Sequence, residues 1–341
     1  MRKSPKTTRT AAAPAPAKGK KAPARAPPDF VKPQLATLVA EPPKGDGWVH
    51  EIKFDGYRLL ARIDRRNVTL VTRANNDWTE KFKGVAAQFA KLDVGNALID
   101  GEVVHLAKGG AISFHALQDA LSTGRQQDLH YYAFDLLFLD GADLREQPLL
   151  ARKTALARIL KKAPAHIHFS EHVGASGAEV LRRACELALE GIVSKRAAGP
   201  YHAGRSDAWL KSKCIKEQEL VIGGFTEQPK HPGTLGALLM GYHENGALVF
   251  AGKVGTGFSH RDRRALLQQL KALAQNAPPF RTLPVAARRG ARFVKPTLVA
   301  HVNFTEWTTD GVMRHPSFQG LRADKAAAEV VREKPKAPPA R

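Results

Sequence analysis

The sequence predicts an α+β protein of two units, on three observations. From Phe30 to Cys214, short stretches of period-two alternation interleave with stretches of helical period. After about Lys216 the texture changes to several short strand patterns with a single helix. The chain has 341 residues with 43% hydrophobic content, enough for two cores. The first unit reads as antiparallel sheets with helices packed on them. The second reads as a small Greek-key barrel of the OB type. Residues 1–28 are Ala, Pro, Lys and Arg with almost no apolar bulk, and residues 329–341 are again rich in Pro, Lys and Ala. Both ends are therefore expected to be disordered. The expected boundaries are 1–28, 29–215, 216–328 and 329–341.

In the first unit, Trp48, His50, Ile52 and Phe54 share one side of an alternating stretch and Val49, Glu51 and Lys53 share the other. This predicts a strand whose apolar side is buried and whose Lys53 points into something polar. Asp55-Gly56 offers a turn, and alternation resumes over Tyr57–Ile63. Strands are expected over 67–73, 97–106, 130–139, 192–195 and 209–213. Helices are expected over 78–92 (Phe82, Val85, Phe89 and Leu92 on one face), 114–121, 148–162 and 178–189. In the second unit strands are expected over 220–225, 235–242, 247–254 and 300–308, with Asn245-Gly246 as a hairpin turn and one helix over 260–274.

The net charge is +21, of which eight Lys or Arg lie in the first 28 residues, leaving +13 on the rest. A folded body that basic expects a polyanion, nucleic acid first. An anionic membrane surface is the lesser alternative, for no apolar run approaches the roughly 20 residues of a spanning helix. The start, Met1-Arg2-Lys3-Ser4-Pro5-Lys6, lacks the apolar core of a secretory leader. Cys185 and Cys214 are too few for a disulfide scaffold and lack metal-ligand spacing. The expectation is a reduced, cytoplasmic protein near the bacterial nucleoid. The basic tail reads equally as a loose phosphate-binding arm and as a solubilising linker.

The chemistry centres on Lys53-x-Asp55-Gly56. A lysine at a strand end, beside an acid and an arginine, suits a nucleophile, because an amine attacks phosphorus only when neutral and burial removes lysine's charge readily. The same residues also fit a hairpin with a solvated lysine. Asp100-Gly101-Glu102 ends a strand, where a carboxylate can bind a ribose or hold a divalent metal, although such a tripeptide is more often a turn. Phe134-Asp135 lies inside an apolar strand, as a core aromatic or as a ring that stacks on a base. Glu190-Gly191 through Lys195 joins a helix to a strand. Glu190 is a second possible metal carboxylate there and Lys195 a phosphate contact, unless Gly191 is merely a helix cap. Lys211 and Lys213 fall on one side of a strand, an arrangement that wants an anion between them, although ordinary surface lysines explain it equally well. Arg314-His315-Pro316 through Arg322-Ala323-Asp324-Lys325 is a basic cluster, by default a solvated charge run. A lysine nucleophile, two carboxylates, an aromatic and several cations form the inventory of phosphoryl or nucleotidyl transfer.

This ordered set resembles the covalent nucleotidyltransferases, the superfamily of ATP-dependent DNA ligases and RNA capping enzymes. The likeness is closest to the ligase domain of bacterial DNA ligase D, the end-joining ligase. It is carried by Trp48 through Lys53-x-Asp55-Gly56, Asp100-Gly101-Glu102, Phe134-Asp135, Glu190 to Lys195, Gly204-Arg205-Ser206 ahead of Trp209-Leu210-Lys211-Ser212-Lys213, Gly252 to Phe258, and Arg314 to Lys325. It covers about residues 30–326. Ala74 stands where the family usually has Asn, and Ala323 where it has an acid.

The resemblance implies an adenylation (nucleotidyltransferase) domain followed by an OB-fold domain. It implies ATP as co-substrate, Mg²⁺ or Mn²⁺, and a nicked or broken duplex DNA substrate in repair, recombination or end joining. Lys53 would carry AMP. Glu51 would read the adenine amino group and Phe134 would stack on its ring. Arg58 and Arg73 would contact ribose or phosphate, and Glu102 and Glu190 would hold ribose and metal. Lys195, Arg205, Lys211 and Lys213 would neutralise phosphates. Arg322, Asp324 and Lys325 would swing over the triphosphate, which implies a hinge near Lys216. A stand-alone monomeric ligase is expected, with the end-joining protein Ku as a possible partner. An RNA ligase or RNA guanylyltransferase keeps the chemistry and changes the substrate. A non-catalytic basic DNA-binding scaffold is the non-enzymatic alternative.

Overall fold

The computed structural model describes residues 25–107 and 110–338. The expectation of disorder over residues 1–24 and 339–341 lies outside the described residues. In the first unit the strands are β1 (Gln34–Leu38), β2 (Trp48–Ile52), β3 (Tyr57–Asp64), β4 (Asn67–Thr72), β5 (Asn96–His105), β6 (Leu129–Leu139), β7 (Ala142–Asp143), β8 (Ile167–Phe169), β9 (His172–Val173), β10 (Gly191–Arg196) and β11 (Gly204–Lys213). Its helices are α1 (Lys83–Phe89), α2 (Phe114–Thr123), α3 (Leu149–Leu160) and α4 (Gly177–Glu186). The second unit holds β12 (Glu217–Gln228), β13 (His231–Glu244), β14 (Ala247–Val254), α5 (His260–Ala272), β15 (Ala274–Gln275), α6 (Val285–Arg288), β16 (Ala291–Val294), β17 (Val299–Asn303), β18 (Glu306–Trp307), β19 (Met313–Arg314) and β20 (Ser317–Leu321).

The first unit is two sheets face to face. One has the order β1-β11-β10-β2-β9; the other runs β4-β3-β5-β6-β7 with β8 on β6. Pairing is antiparallel as expected, except that β1 runs parallel to β11 and β8 parallel to β6. Period two sorts the second sheet's side chains. Leu59, Ala61, Ile63 and Ile99 pack toward Phe82, Phe89, Leu117 and Leu156 of the helical layer. Leu60, Leu98 and Phe138 face Trp209 of the first sheet and Tyr201, which precedes β11. The first sheet is covered on both faces as well, by the second sheet on one side and by α4 on the other, so the expectation that only one side of 48–54 is buried fails. Trp48, Val49, His50 and Glu51 are all buried, with His50 Nδ1 2.8 Å from Ser194 Oγ.

The helix expected over 78–92 is shorter: a single 3₁₀ turn at Glu80–Phe82 precedes α1. Helix α3 turns two cations inward. Arg152, fully buried, pairs with Asp135 at 2.7 and 2.9 Å. Lys153 donates to Ser170 O at 2.9 Å and sits 2.8 Å from Glu51. Asp135 is thus committed to Arg152 in the interior behind Phe134. Cys185 and Cys214, expected as reduced thiols, are joined by a disulfide, because the end of α4 and the end of β11 meet at a Cα separation of 5.2 Å.

The second unit is an OB-type barrel. Strand β12 pairs with β13, β16 and β17, β13 with β14, and β17 with β20. A bridge between Thr256 and Ser317 closes the circuit. The pattern expected as one strand over 300–308 is two, β17 and β18, with a break at Phe304–Thr305. The barrel rests against the first unit: Gln118 Nε2 and Tyr57 Oη both donate to Leu321 O, at 2.5 and 3.2 Å, and Arg261 pairs with Asp119 at 3.0 Å. The segment after residue 329, expected as part of a disordered tail, is laid across both units as far as it is described. The Lys336 N–H donates to Leu38 O at 2.9 Å.

Removing one member of a buried ion pair strands the other charge without water. Arg152→Met is therefore expected to destabilise the protein by about 3–5 kcal/mol, read as a drop in the urea midpoint. Arg152→Met combined with Asp135→Leu should recover most of that loss.

Candidate functional site

A cavity opens where the two sheets of the first unit meet the barrel. Residue 53 follows β2 directly, and its N–H donates to Gly191 O at 2.9 Å, so the chain stays tied to β10 as it leaves the strand. Two glycines are forced here. A Cβ on Gly56 would lie 2.0 Å from Val103 O, and one on Gly191, whose φ is +151°, would lie 2.1 Å from Ser212 O. Gly191 is therefore required by close strand approach, not as a helix cap.

The Lys53 amine meets Glu190 Oε1 directly and lies 3.7 Å from Glu217 Oε1. Burial lowers its pKa, opposed by Glu217 and assisted by Lys213. Lys213 pairs with Glu217 at 2.9 Å, and Lys211 meets Glu333 at 2.7 Å. Burial pulls Lys211 down to about 8. Both lysines do point one way along β11, and each is met by a carboxylate.

The opposite wall is the buried end. Glu51 accepts from Ser170 Oγ at 2.8 Å and is flanked by Lys153 and Lys195 at 2.8 and 2.9 Å. Burial works to raise the Glu51 pKa, and the two lysines more than offset it. Lys195 is drawn down to about 8 by burial. Its amine lies 4.6 Å over the Phe134 ring and 4.2 Å over Trp209. Phe134 lines the cavity, as do Arg58, Arg73, Glu102 and Arg205. Arg58 is largely committed, bidentate to Asp100 at 2.9 and 2.5 Å with a further bond to Gln34 O at 2.6 Å. Arg73 lies 3.6 Å from Glu329, and Arg205 3.5 Å from Glu333.

The barrel supplies the roof. Arg322 and Lys325 line the cavity. Asp324, fully buried, does not; it holds Arg322 by two bonds of 2.9 Å. Lys325 is held by Glu219.

Reading the sequence for cations overlooked their partners. Glu217 and Glu219 stand at the start of β12, and His301 on β17 lies 3.1 Å from Glu217 and 3.8 Å from Asp55. Lys153 and Glu333 were missed as well. The alternation Glu217-Gln218-Glu219, which follows Lys211-Ser212-Lys213 after three intervening residues, was the available signal. Nothing local marks Lys153 or Glu333.

A family profile described as "ATP dependent DNA ligase domain" matches residues 33–213, more than half of the chain. The chain belongs to the ATP-dependent DNA ligases. They are enzymes that use ATP, and a second profile, "ATP dependent DNA ligase C terminal region", matches residues 231–325 of this ligase, the OB-type barrel. It is 38% identical over 317 residues to the multifunctional non-homologous end joining protein LigD of Pseudomonas aeruginosa, covering 92% of this chain and 38% of that one. Identity to the LigD of Mycobacterium tuberculosis H37Rv is 37% over 310 residues, covering 89% of this chain and 40% of that one. The ligase thus spans about two-fifths of the length of these curated relatives. A solved mycobacterial DNA ligase D complexed with ATP and MES superposes with a TM-score of 0.62 at 35% identity, covering 88% of this chain and 98% of that one. Among the described residues, no helix is long and apolar enough to cross a membrane.

The donor set fits a hard divalent cation. Glu190 Oε2 is buried with no hydrogen-bond partner among the described residues, and the Glu102 carboxyl, pushed up to about 7 by burial, lines the same cavity. No cluster of three or more His, Cys, Asp or Glu that could hold a metal occurs among the described residues. Mg²⁺ ordinarily takes one or two carboxylates and completes its shell with water and phosphate oxygens.

Glu102 also makes a stability statement. Its folded pKa of about 7 lies above the ordinary carboxylate value, so the folded state binds the proton more tightly than the unfolded one. The penalty is absent near pH 4, accumulates as pH rises through that interval and is constant above pH 7. Glu102→Gln is expected to match wild type at pH 4 and to exceed it by up to about 3 kcal/mol at pH 8, measured by denaturant unfolding with chelator present.

Proposed function

We propose that this ligase seals 5′-phosphate/3′-hydroxyl breaks in duplex DNA, with Lys53 as the residue that carries AMP. The observation behind this is the placement of Lys53: an amine on a cavity floor, its pKa lowered by burial, between two carboxylates and under cations from both units. The adenylation domain would span 29–215 and the OB-fold domain 216–328, jointed near Lys216.

In the first step the neutral Nζ attacks the α-phosphorus of ATP. An N–P bond forms, the P–O bond to pyrophosphate breaks, and the amine's proton leaves by way of the neighbouring carboxylates to solvent. In the second, an oxygen of the DNA 5′-phosphate attacks the lysyl-AMP phosphorus and Lys53 regains its proton as the N–P bond breaks. In the third, the 3′-hydroxyl attacks the 5′-phosphorus, AMP departs and a proton is released. Glu51 would accept from the adenine amino group with Phe134 against the ring. Lys195, Arg205, Lys211 and Lys213 would neutralise phosphate. Arg58 and Arg73 would border the ribose and phosphates. Arg322 and Lys325, with Asp324 holding Arg322, would align the pyrophosphate opposite Lys53. Mg²⁺ or Mn²⁺ held by Glu102 and Glu190 would supply charge neutralisation at the transferring phosphoryl group. Closure and reopening of the barrel would accompany the passage from nucleotide to DNA.

The +13 body suits duplex DNA. The likeness to end-joining LigD proteins supports work in break repair; Ku as a partner, a monomeric state and a place in the bacterial cytoplasm and nucleoid complete the proposal.

Self-adenylation tests this. Purified protein, freed of any bound AMP with pyrophosphate, is expected to take covalent label from α-labelled ATP with Mg²⁺ or Mn²⁺. Lys53→Ala should take none, and label on that variant would exclude Lys53. Sealing should be seen on nicked DNA in preference to nicked RNA. Because burial lowers the Lys53 pKa and Glu217 raises it, the adenylation rate should rise with pH and level off below the ordinary lysine value of 10.5. Glu217→Gln should move that rise to lower pH.

A further inference from the structure

Beyond the barrel the chain does not leave the molecule. Residues 330–336 form a strap from the barrel to the first sheet. The strap's barrel end is well anchored: His243 N–H donates to Val330 O at 2.7 Å, and Gln218 Nε2 donates to Val331 O at 3.1 Å while Gln218 Oε1 accepts from the Glu333 N–H at 3.3 Å. Arg332 lies 4.3 Å over the Trp307 ring. Among the described residues, the far end rests on a parallel bridge between Lys336 and Val39, in which the Lys336 N–H donates to Leu38 O. Between the two anchors Glu333 turns into the cavity. Its carboxylate oxygens lie 2.8 and 2.7 Å from the Lys211 amine, and Arg205 is 3.5 Å away.

Two oxygens of one anion on one ammonium, with a guanidinium alongside, is the contact a phosphate group would make with the same two side chains. Glu333 is ionised there: burial works to raise its pKa, but Lys211 and Lys213 hold it at about 2. A phosphate and this carboxylate would be like charges contending for one cation pair. We propose that Glu333 is an internal competitor for phosphate, seated on Lys211 and Arg205 until a nucleotide's phosphates displace it, so that the strap sets the ATP concentration at which the first step begins. This rests on the reading of Lys211 and Arg205 as phosphate contacts.

The competition is measured by the KM for ATP in self-adenylation. When the competent form is only a fraction of the population, apparent affinity falls by that fraction. A strap seated nine-tenths of the time raises KM about tenfold. Glu333→Gln keeps the size and removes the charge; it is expected to lower KM by up to about tenfold with little change in the adenylation rate at saturating ATP. Lys336→Pro, read against Lys336→Ala as the control for loss of the exposed ammonium, removes the N–H that fastens the far end and should shift KM the same way by less. A KM that is unchanged or raised in Glu333→Gln, with an unchanged melting temperature, overturns the proposal and leaves Glu333 as a residue that merely orders Lys211. Calorimetric titration with inorganic tripolyphosphate separates this question from the functional reading, since it needs no covalent step. If wild type takes no label from ATP, the ligase mechanism fails. The strap is then judged by tripolyphosphate alone: tighter binding to Glu333→Gln supports it, and equal or weaker binding overturns it.

Discussion

The balance of charge around one lysine is what the rest of the structure serves. Nine Lys or Arg and seven Asp or Glu line a single cavity, with Lys53 in contact with Glu190. Phosphoryl transfer makes opposite demands on such a place. The phosphates want fixed cations, and the nucleophilic amine must be able to shed its own charge. Burial resolves part of the conflict by disfavouring every charge that lacks a partner. Carboxylates resolve the rest. Glu217 is shared between Lys53 and Lys213, Glu51 between Lys153 and Lys195, and Glu219 holds Lys325. A cation held by a carboxylate is already positioned before any phosphate arrives.

That balance is struck between two units. Lys53, Glu190, Lys195, Lys211 and Lys213 stand on the strands of the first sheet or at their ends, with Glu51 and the wall behind it fixed by α3. Glu217, Glu219, His301, Arg322 and Lys325 come from the barrel. Neither unit alone neutralises its share, so their approach is coupled to the ionic state of the cavity. The buried pair of Arg152 with Asp135 does similar service one layer down. An ion pair there is weak support for stability, but it keeps β6, and with it Phe134, at a set distance from α3.

Much of this was legible in the chain. Period-two alternation located the strands that carry Glu51 and Lys53, Lys195, and Lys211 with Lys213, because side chains two apart must share a face whatever the tertiary fold. The spacing of Lys53-x-Asp55-Gly56 and the later motifs brought the family into view, and the family profiles agree. The errors have physical causes. Alternation over 48–54 implied one buried face, but a sheet packed on both sides buries polar residues too, as His50 and Glu51 are. Composition implied a free tail after 329, yet a few backbone bonds and one carboxylate suffice to seat a Pro- and Lys-rich segment when the surface it meets is cationic. Cysteine count could not foresee that α4 and β11 end side by side.

By itself, then, the sequence determined the element types, the two-unit order, the inventory of cations and carboxylates, and the family, since each depends on local periodicity or on residue identity at short spacing. Only the tertiary structure decided which charges face each other. Lys153 meets Glu51 from 102 positions away in the chain, Glu333 meets Lys211 across two units, and Lys325 finds Glu219. Pairings of that kind have no period and no local signature. They follow from where sheets and barrel come to rest, and the cost of leaving a buried charge alone selects them.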